Sequence, residues 1–243
     1  MPDTRTHRGP HPEDTRLFAP PAWPTLQQAT VELSWLLSRG YAAPSASKLV
    51  GDRHQLAARQ RGAVERSACP DAARIGRAAR RLEPAHLAGA TLWLDGYNVL
   101  TTVEVALGGA VILAARDGCY RDIAALHGTY RKVAETMPAL ELLGGTLAHL
   151  GVTSAVWCLD RPVSNSGRLK TIMRELAATR GWPWQIELLP DPDTALATTS
   201  EIVATADSAV LDRCQRWCNL ARFAIDHHVP SARIVPLAEV AGA

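Results

Sequence analysis

The chain has 243 residues, 47% of them hydrophobic, and a formal net charge of +2 at pH 7, which together predict a globular protein with a substantial core. No apolar run approaches the length that crosses a bilayer, and the polar, proline-rich beginning of the sequence lacks a signal pattern, so we expect a cytoplasmic protein without membrane partners. Five scattered cysteines without a CxxC pair suit a reducing compartment better than a disulfide framework.

The first part of the chain predicts a flexible arm followed by short helices. Residues 1–24 are rich in proline and charge and show no periodicity, which indicates the arm. Residues 25–69 predict a small all-α domain, and residues 70–89, with four arginines among helix formers, predict a basic linker. The helical patterns of the small domain run from 25 to 38, from 44 onwards and from 56 to 67.

From residue 90 onwards, strand patterns alternate with helical ones, which predicts an α/β domain around a buried parallel sheet. The predicted strands are 91–94, 154–159, 185–189, 202–206 and 232–236, and the predicted helices are 139–150, 166–180 and 208–227. An Arg-Asp-Gly turn between short apolar stretches predicts a β-hairpin within residues 110–123.

Charge is distributed unevenly between these parts. Lysine and arginine outnumber aspartate and glutamate by 13 to 8 through residue 89, whereas from residue 90 the count is 13 to 16. A basic module joined to an acidic one suits a polyanionic substrate that the first holds and the second cuts. Arginine-rich helix faces exposed to solvent are common, however, and explain the same count.

Residues 92–100 carry the strongest indication of chemistry. Three apolar, strand-forming residues run into Asp95, and the following glycine turns the backbone so that Asp95 and Asn98 lie at the strand end. The same pattern recurs at Ile-Val-Ala-Thr-Ala before Asp207, with Asp212 one turn into the next helix. Because ligands of open α/β sheets bind at the carboxyl ends of the strands, the two strands are expected to deliver carboxylates to one edge.

Clustered carboxylates repel each other and stay ionised only where a cation or hydrogen-bond donors stabilise the charge, so this set indicates a divalent-metal site. A strand-terminal aspartate is also a common helix N-cap, and Asp207 is suited to cap a helix that begins at Ser208. Both roles stay open for each aspartate alone, whereas the whole set, with Asn98 beside it, favours the metal.

A third stretch, residues 158–168, combines a strand end with a helix start. Asp160 ends a predicted strand and is a further metal candidate. Free backbone N–H groups at the start of the next helix are suited to phosphate oxygens, although a serine there also serves as a simple helix cap. The phosphate-binding candidates are Arg161, Ser164, Asn165, Ser166 and Arg168.

The order of these motifs resembles the PIN-like nucleases, especially their NYN branch. The likeness is carried by Asp95-Gly-x-Asn98, by Asp193 ahead of a short segment, and by Ile-Val-Ala-Thr-Ala-Asp207 with Asp212. Over nearly the whole chain, the sequence resembles more narrowly an uncharacterised prokaryotic family that joins a small N-terminal helical domain to a PIN-like domain. This narrower likeness is carried by residues 33–41, 48–53, 116–122, 127–132 and 162–170.

The resemblance implies a three-layer α/β/α PIN-like domain over residues 90–243, with a mostly parallel central sheet, and a ribonuclease site dependent on Mg²⁺ or Mn²⁺. Asp95, Asp207 and Asp212 then match the metal-binding acids, and Asn98 matches the asparagine beside them. A further acid is expected before or within the helix that precedes the fourth strand. The candidates are Asp191, Asp193 and Glu201, of which we choose Asp193.

The resulting hypothesis is metal-dependent hydrolysis of phosphodiester bonds, with RNA as the expected partner and DNA as the alternative. Arg131, Lys132, Arg161 and Arg168 are expected to hold backbone phosphates. One competing hypothesis is a catalytically inactive RNA-binding module on the same fold. Another is a haloacid-dehalogenase-type phosphatase, whose chemistry needs a second aspartate where this chain has Tyr97.

Overall fold

The computed structural model of the chain describes residues 7–123 and 130–238. The start of the predicted arm, residues 127–129 of one family-like string and the last five residues of the predicted PIN-like domain lie outside these ranges. No helix in the described part of the chain has the length and apolar character needed to cross a membrane.

Helices make up the N-terminal region. They are α1 Asp14–Leu17, α2 Trp23–Ser38, α3 Ala43–Arg53, α4 Ala58–Ser67 and α5 Asp71–Arg80, with short 3₁₀ turns at Pro20–Ala22 and Pro84–His86. The three helical patterns predicted for residues 25–69 correspond to α2, α3 and α4 and are confirmed.

The rest of the chain is an α/β fold around a five-stranded parallel sheet. Its strands are β1 Thr91–Asp95, β4 Ser154–Asp160, β5 Trp184–Leu189, β6 Ile202–Ala204 and β7 Trp217–Cys218, in the spatial order β5-β4-β1-β6-β7. The helices are α6 Gly96–Leu107, α7 Thr136–His149, α8 Ser166–Arg180, α9 Pro192–Thr198, α10 Ser208–Leu211 and α11 Leu220–His228. The predicted fold class, with a mostly parallel central sheet and helices in front of it in the chain, is confirmed.

Both faces of the sheet are buried because successive side chains of a strand point to opposite sides. One face packs through Leu94, Trp157 and their neighbours against the layer that contains α6, α7, α8 and α11. The other face packs through Val156 and Val203 against the short helices α9 and α10. The inner strands β1, β4 and β6 are therefore largely apolar, whereas the edge strand β5 carries the exposed Gln185 and Glu187.

A second, three-stranded sheet consists of β2 Val111–Ala114, β3 Tyr120–Asp122 and β8 Arg233–Pro236, in the order β3-β2-β8. Strands β2 and β3 are antiparallel and form the predicted hairpin, with Gly118 at φ +83° in its turn. The strand predicted at 232–236 exists, but it pairs with β2 and not with the central sheet. An apolar pattern indicates that a strand is buried, and it does not indicate which neighbour the strand has.

The N-terminal helices share their core with this second sheet. Leu26 and Leu33 of α2 belong to one buried cluster with Leu113 of β2 and Val235 of β8. The helical region is therefore continuous with the α/β region in the described chain, because the two contribute side chains to the same core.

Two predicted boundaries change for the same reason. Residues 7–24, expected as part of a flexible arm, pack onto the helices, with Phe18 buried and Asp14 paired with Arg59 at 2.5 Å. Residues 70–89, expected as a basic linker, include the helix α5, whose Arg77 is 2% exposed. Neither segment has a wide apolar stripe that would have indicated packing from the sequence. Each is fixed by contacts with residues distant in the chain.

The helix predicted over residues 208–227 is interrupted. Helix α10 ends at Leu211, and Trp217 and Cys218 then pair with β6 as strand β7 before α11 begins. Trp217 is fully buried and its indole N–H donates to the carbonyl oxygen of Arg77 at 2.7 Å. This tertiary packing overrides the local preference of the segment for helix.

Candidate functional site

Four predicted aspartates meet at the carboxyl end of the central sheet. Asp95 ends β1, Asp160 ends the neighbouring strand β4, and Asp207 follows β6 on the other side of β1. Asp193 lies in the first turn of α9, which contacts both β1 and β4. We call Asp95, Asp160, Asp193 and Asp207 the acidic edge.

Asp95 is held by a side chain from the next strand. The hydroxyl of Thr205 donates to Oδ2 of Asp95 at 2.7 Å and accepts the backbone N–H of Asp207 at 2.9 Å. Asn98 fixes the same loop, because its Oδ1 accepts the backbone N–H of Ala206 at 2.9 Å. Asn98 therefore orients the loop that carries Asp207. Its side-chain oxygen Oδ1 is already engaged in this hydrogen bond.

Asp207 is both a member of the acidic edge and a helix cap. Its Oδ1 accepts the backbone N–H groups of Ala209 at 2.8 Å and of Val210 at 3.1 Å, which makes it the N-cap of α10. The capping role left open by the sequence is confirmed. A cap fixes the direction of the carboxylate and does not remove its charge, so it is compatible with a ligand role.

The carboxylates of this edge repel one another. Burial and, to a smaller extent, the charges of Asp207 and Asp193 raise the pKa of Asp95 to about 7, against the hydrogen bond from Thr205. The pKa of Asp193 is also raised, by burial and by the charges of Asp207 and Asp160. Burial together with the charge of Asp191 raises the pKa of Asp160. The site is therefore a concentration of negative charge that favours a proton or a cation.

The donor set fits a hard divalent cation in chemistry, although it is not preassembled. Within residues 7–123 and 130–238, no three His, Cys, Asp or Glu side chains are spaced as ready-made metal ligands. Carboxylate oxygens are the ligands that Mg²⁺ and Mn²⁺ prefer, and Asp95, Asp193 and Asp207 are the residues that would hold one.

Asp212, predicted as a metal ligand, has a different partner. Both of its oxygens accept hydrogen bonds from Arg77, at 2.7 Å and 2.8 Å. Arg77 also donates to Asp117 at 2.6 Å, and Arg121 pairs with Asp117 at 2.7 Å. Burial alone would raise the pKa of Asp117, but the charges of Arg121 and Arg77 lower it to about 2. The structure thus brings Asp212 into an ion-pair network and not to the acidic edge.

This network supports the loop behind Asp207. Arg121 donates to the carbonyl oxygen of Ala206 at 2.8 Å, and Arg77 approaches the carbonyl oxygen of Ser208 at 3.4 Å. Helix α5 and the β2–β3 hairpin therefore hold the backbone of residues 206–208 in place through these two arginines. Neither arginine was predicted as a site residue.

The predicted phosphate-binding residues lie on two segments that contact each other. The backbone N–H of Tyr130 donates to the carbonyl oxygen of Ser164 at 3.3 Å, and Asn165 Nδ2 donates to the carbonyl oxygen of Tyr130 at 2.9 Å. This contact places the exposed side chains of Arg131 and Lys132 beside the start of α8. We call residues 130–132 and 161–168 the basic loops.

Within the basic loops the predicted residues differ in availability. Arg168 and Ser164 are exposed, whereas Ser166 is buried and its hydroxyl donates to the carbonyl oxygen of Arg161 at 3.2 Å. Arg161 is exposed and donates to the carbonyl oxygen of Leu188 at 3.0 Å. Asn165 is the N-cap residue of α8, in the left-handed region at φ 69°, and its side chain does not cap the helix. Of the two roles left open for the serines here, the structure therefore does not bear out the helix cap.

Thr205 is the site residue that sequence reasoning missed. Its signal was its position, because a threonine two residues before a strand-terminal aspartate can bond the next strand on one side and the loop on the other. Arg121 has a local partner in Asp117, but Asp212 lies 135 residues from Arg77 and Ala206 lies 85 residues from Arg121, so no local signal connected these arginines with the site.

Gly96 is required by a close approach between α6 and β4. A Cβ atom at this position would lie 2.5 Å from Leu159 Cδ2 and 2.8 Å from the carbonyl oxygen of Cys158. The absence of a side chain lets α6 begin directly after Asp95, where sequence analysis expected only a turn.

We expect Gly96→Ala to lower the free energy of unfolding by about 1–3 kcal/mol, because a backbone oxygen cannot move aside as a side chain can. Thermal unfolding measures the effect. The matched control is Gly145→Ala on α7, where a Cβ atom meets nothing within 4 Å and where alanine favours the helix. Equal melting temperatures for the two variants would contradict the close approach.

Several cavities lie away from the acidic edge, and two of them are among the largest. One, of about 450 Å³, is an apolar groove lined by Trp35, Leu49 and neighbours on α2 and α3. The other, of about 350 Å³, lies between residues 81–87 and α11. The charges that line the second are paired with each other, Arg81 with Glu83 and Arg222 with Asp226, so its rim presents little net charge.

Comparison with known proteins covers both regions of the chain. A family model described as "Domain of unknown function (DUF5616)" matches residues 84–223, and one described as "Protein of unknown function (DUF434)" matches residues 25–80. An uncharacterised protein of Methanocaldococcus jannaschii is 28% identical over 188 residues, which cover 77% of this chain and 89% of that protein. No solved structure matches the chain. Because the first model spans more than half of the chain and includes the whole acidic edge, the chain belongs to the family described as domain of unknown function DUF5616.

Proposed function

We propose that the chain is a divalent-metal-dependent ribonuclease with a PIN-like domain, and that the acidic edge is its active site. The observation that carries the proposal is the grouping of Asp95, Asp193 and Asp207 at the carboxyl end of the parallel sheet, where burial and the charges of Asp207 and Asp193 raise the pKa of Asp95 to about 7. A carboxyl group whose pKa is strongly raised by burial and by neighbouring carboxylates is typical of functional sites.

The residues divide the work between chemistry and binding. Asp95, Asp193 and Asp207 supply the negative charge that holds Mg²⁺ or Mn²⁺, while Thr205 and Asn98 fix the relative positions of Asp95 and the loop before Asp207. When bound, the cation supplies activation of water and neutralisation of charge at the scissile phosphate.

The basic loops hold the polyanion next to this edge. Arg131, Lys132 and Arg168 are exposed, and exposed cationic side chains suit contacts with backbone phosphates. Such contacts fix the position of a nucleic acid without selecting its sequence, and they weaken with salt. RNA as the substrate rests on the likeness of the motifs to PIN-like nucleases.

A catalytically inactive RNA-binding module is the second candidate. It is supported by the absence, among the described residues, of a preassembled group of three metal ligands. The phosphatase hypothesis has less support, because Tyr97 stands where a second aspartate is needed and is itself buried against the ring of Tyr130.

The test is cleavage of a mixed pool of single-stranded and structured RNA with Mn²⁺, Mg²⁺ or EDTA. We expect cleavage that needs the metal and that falls by at least about 10²-fold in Asp207→Asn. Asparagine keeps the oxygen that caps α10, so this variant removes the charge and not the cap. Glu175→Gln, an exposed change on α8, is the matched control for loss of one negative charge.

The outcomes separate the two candidates. Cleavage that persists in EDTA or in Asp207→Asn would refute the proposed site. RNA that is retained but left intact by the wild-type protein with either metal would establish the binding module in its place.

A further inference from the structure

A buried polar cluster connects the N-terminal segment to the basic loops. Arg8 Nε pairs with Glu104 Oε2 at 3.0 Å, and the two side chains are 1% and 0% exposed. Glu104 Oε1 accepts the hydroxyl of Tyr130 at 2.5 Å and that of Thr136 at 2.6 Å. One carboxylate on α6 therefore accepts hydrogen bonds from Arg8 and from the segment 130–136, which are far apart in sequence.

Arg8 reaches this cluster from outside the α/β domain. Its backbone N–H donates to Glu135 Oε2 at 3.1 Å, and the neighbouring His7 contacts the other oxygen of Glu135 at 3.1 Å. Its guanidinium also lies over the ring of Tyr130, at 5.6 Å from the centroid. Residues 7 and 8 therefore contact the segment 130–136 near both of its ends.

Tyr130 connects these contacts to both parts of the proposed site, the basic loops and the acidic edge. Its backbone is bonded to Ser164 and Asn165 in the basic loops. Its ring lies 5.2 Å from the ring of Tyr97, which stands between the acidic-edge residue Asp95 and Asn98 in α6. A shift of Tyr130 would therefore move the basic loops relative to the acidic edge.

The ion pair is poorly suited to be only a stabilising contact. Two guanidinium nitrogens of Arg8, Nη1 and Nη2, are buried without a hydrogen-bond partner among the described residues. A buried pair with unsatisfied donors contributes little net stability, because desolvation offsets the attraction, but it fixes geometry. The cost is consistent with a positional role.

We propose that Arg8 is a positioning residue that, through Glu104 and Tyr130, holds the basic loops in register with the acidic edge for RNA. The role in RNA binding rests on the proposed function, whereas the role of Arg8 in fixing residues 130–136 does not. Loss of Arg8 then weakens binding of RNA and frees the segment, and it leaves the acidic edge unchanged.

The experiment compares the full-length wild-type protein with Arg8→Met, Arg8→Lys and Arg16→Met. Methionine keeps most of the apolar volume, lysine restores the charge, and Arg16 is an exposed arginine of the same segment, paired with Glu13 and 75% exposed. Tyr130→Phe, which removes only the hydroxyl that donates to Glu104, serves as a second route if Arg8→Met fails to fold.

The first measurement is native-state digestion by trypsin, with mass spectrometry of the products. We expect cleavage after Arg131 and Lys132 to accelerate by roughly 5- to 20-fold in Arg8→Met, with partial recovery in Arg8→Lys and no change in Arg16→Met. Cleavage after Lys48, in α3, is the internal reference, because a general loss of stability would accelerate both sites. Equal acceleration at both sites, or none at residues 131 and 132, would overturn the proposal.

The second measurement is affinity for a fluorescein-labelled single-stranded RNA in EDTA, followed by metal-dependent cleavage of the same RNA. We expect the Kd and KM of Arg8→Met to rise by roughly 5- to 20-fold with kcat unchanged. An unchanged Kd with faster digestion would refute the role in RNA binding. Failure of the wild-type protein to bind RNA would refute the proposed function, and the digestion would still decide whether Arg8 holds the segment.

Discussion

Asp95→Asn is expected to abolish metal-dependent cleavage of RNA and, at the same time, to stabilise the metal-free protein at pH 8. The loss of activity should be about 10²–10³-fold or more, because the variant removes charge at the centre of the proposed site. The gain in stability is expected because the ionised carboxylate of Asp95 is destabilised in the folded protein. Burial removes it from water, and the charges of Asp207 and Asp193 repel it.

The sign of the pH dependence follows from the raised pKa of Asp95. The folded protein binds this proton up to about pH 7, whereas the unfolded chain releases it near pH 3.8. The metal-free wild-type protein therefore loses stability as the pH rises from about 4 to about 7, by at most about 4 kcal/mol. Asparagine accepts the same hydrogen bond from Thr205 without charge, so Asp95→Asn escapes this loss.

Thermal unfolding in EDTA at pH 5 and pH 8 measures the difference. We expect Asp95→Asn to exceed the wild-type melting temperature by up to roughly 10 °C at pH 8 and by far less at pH 5. Added Mn²⁺ should raise the wild-type value at pH 8 and leave the variant unchanged. Glu175→Gln is the control for a lost charge away from the site, and a variant that is equally or less stable than the wild-type protein at pH 8 would contradict the repulsion.

Arg77→Met is expected to be among the most destabilising single changes in this chain. It leaves Asp212 without the partner of both its oxygens and removes one of the two arginines that neutralise the buried Asp117. Removal of one partner from a buried ion pair costs about 3–5 kcal/mol, which corresponds to a fall of roughly 6–20 °C in melting temperature.

The matched control is Arg74→Met, an exposed arginine on the same helix α5. We expect it to leave the melting temperature within about 2 °C of the wild-type value. A double-mutant cycle with Asp117→Asn checks the mechanism, because the two changes should be less than additive if Arg77 and Asp117 stabilise each other. Additive costs would place the role of Arg77 elsewhere.

Prediction from sequence succeeded where the chemistry is local. The apolar runs that end at Asp95, Asp160 and Asp207 predicted strands, and in a parallel sheet strand ends of the same sense lie at one edge. Three of the four residues of the acidic edge could therefore be brought together from the sequence without knowledge of strand order, whereas Asp193, in α9, came from the resemblance. The hairpin turn at residues 116–118 and the periodic helix α8 were predictable for the same reason.

The main differences between the sequence prediction and the structure involve partners distant in the chain. Nothing near Asp212 indicates that Arg77, 135 residues earlier, takes both of its oxygens. The segment that contains Trp217 has a helical composition, and only the buried space beside β6 makes it a strand. Arg8 stands in a proline-rich stretch without periodicity, and only Glu104 makes it part of a buried cluster.

The sequence by itself determined the strands β1, β4, β5 and β6, the α/β class and the convergence of Asp95, Asp160 and Asp207, because these depend on periodicity and on the geometry of parallel strands. The tertiary structure alone decided which aspartates remain at that edge, which arginines are buried, and that the N-terminal segment and α5 pack against the domain. Those outcomes depend on the pairing of charges and the filling of space between residues far apart in the chain, which local pattern does not record.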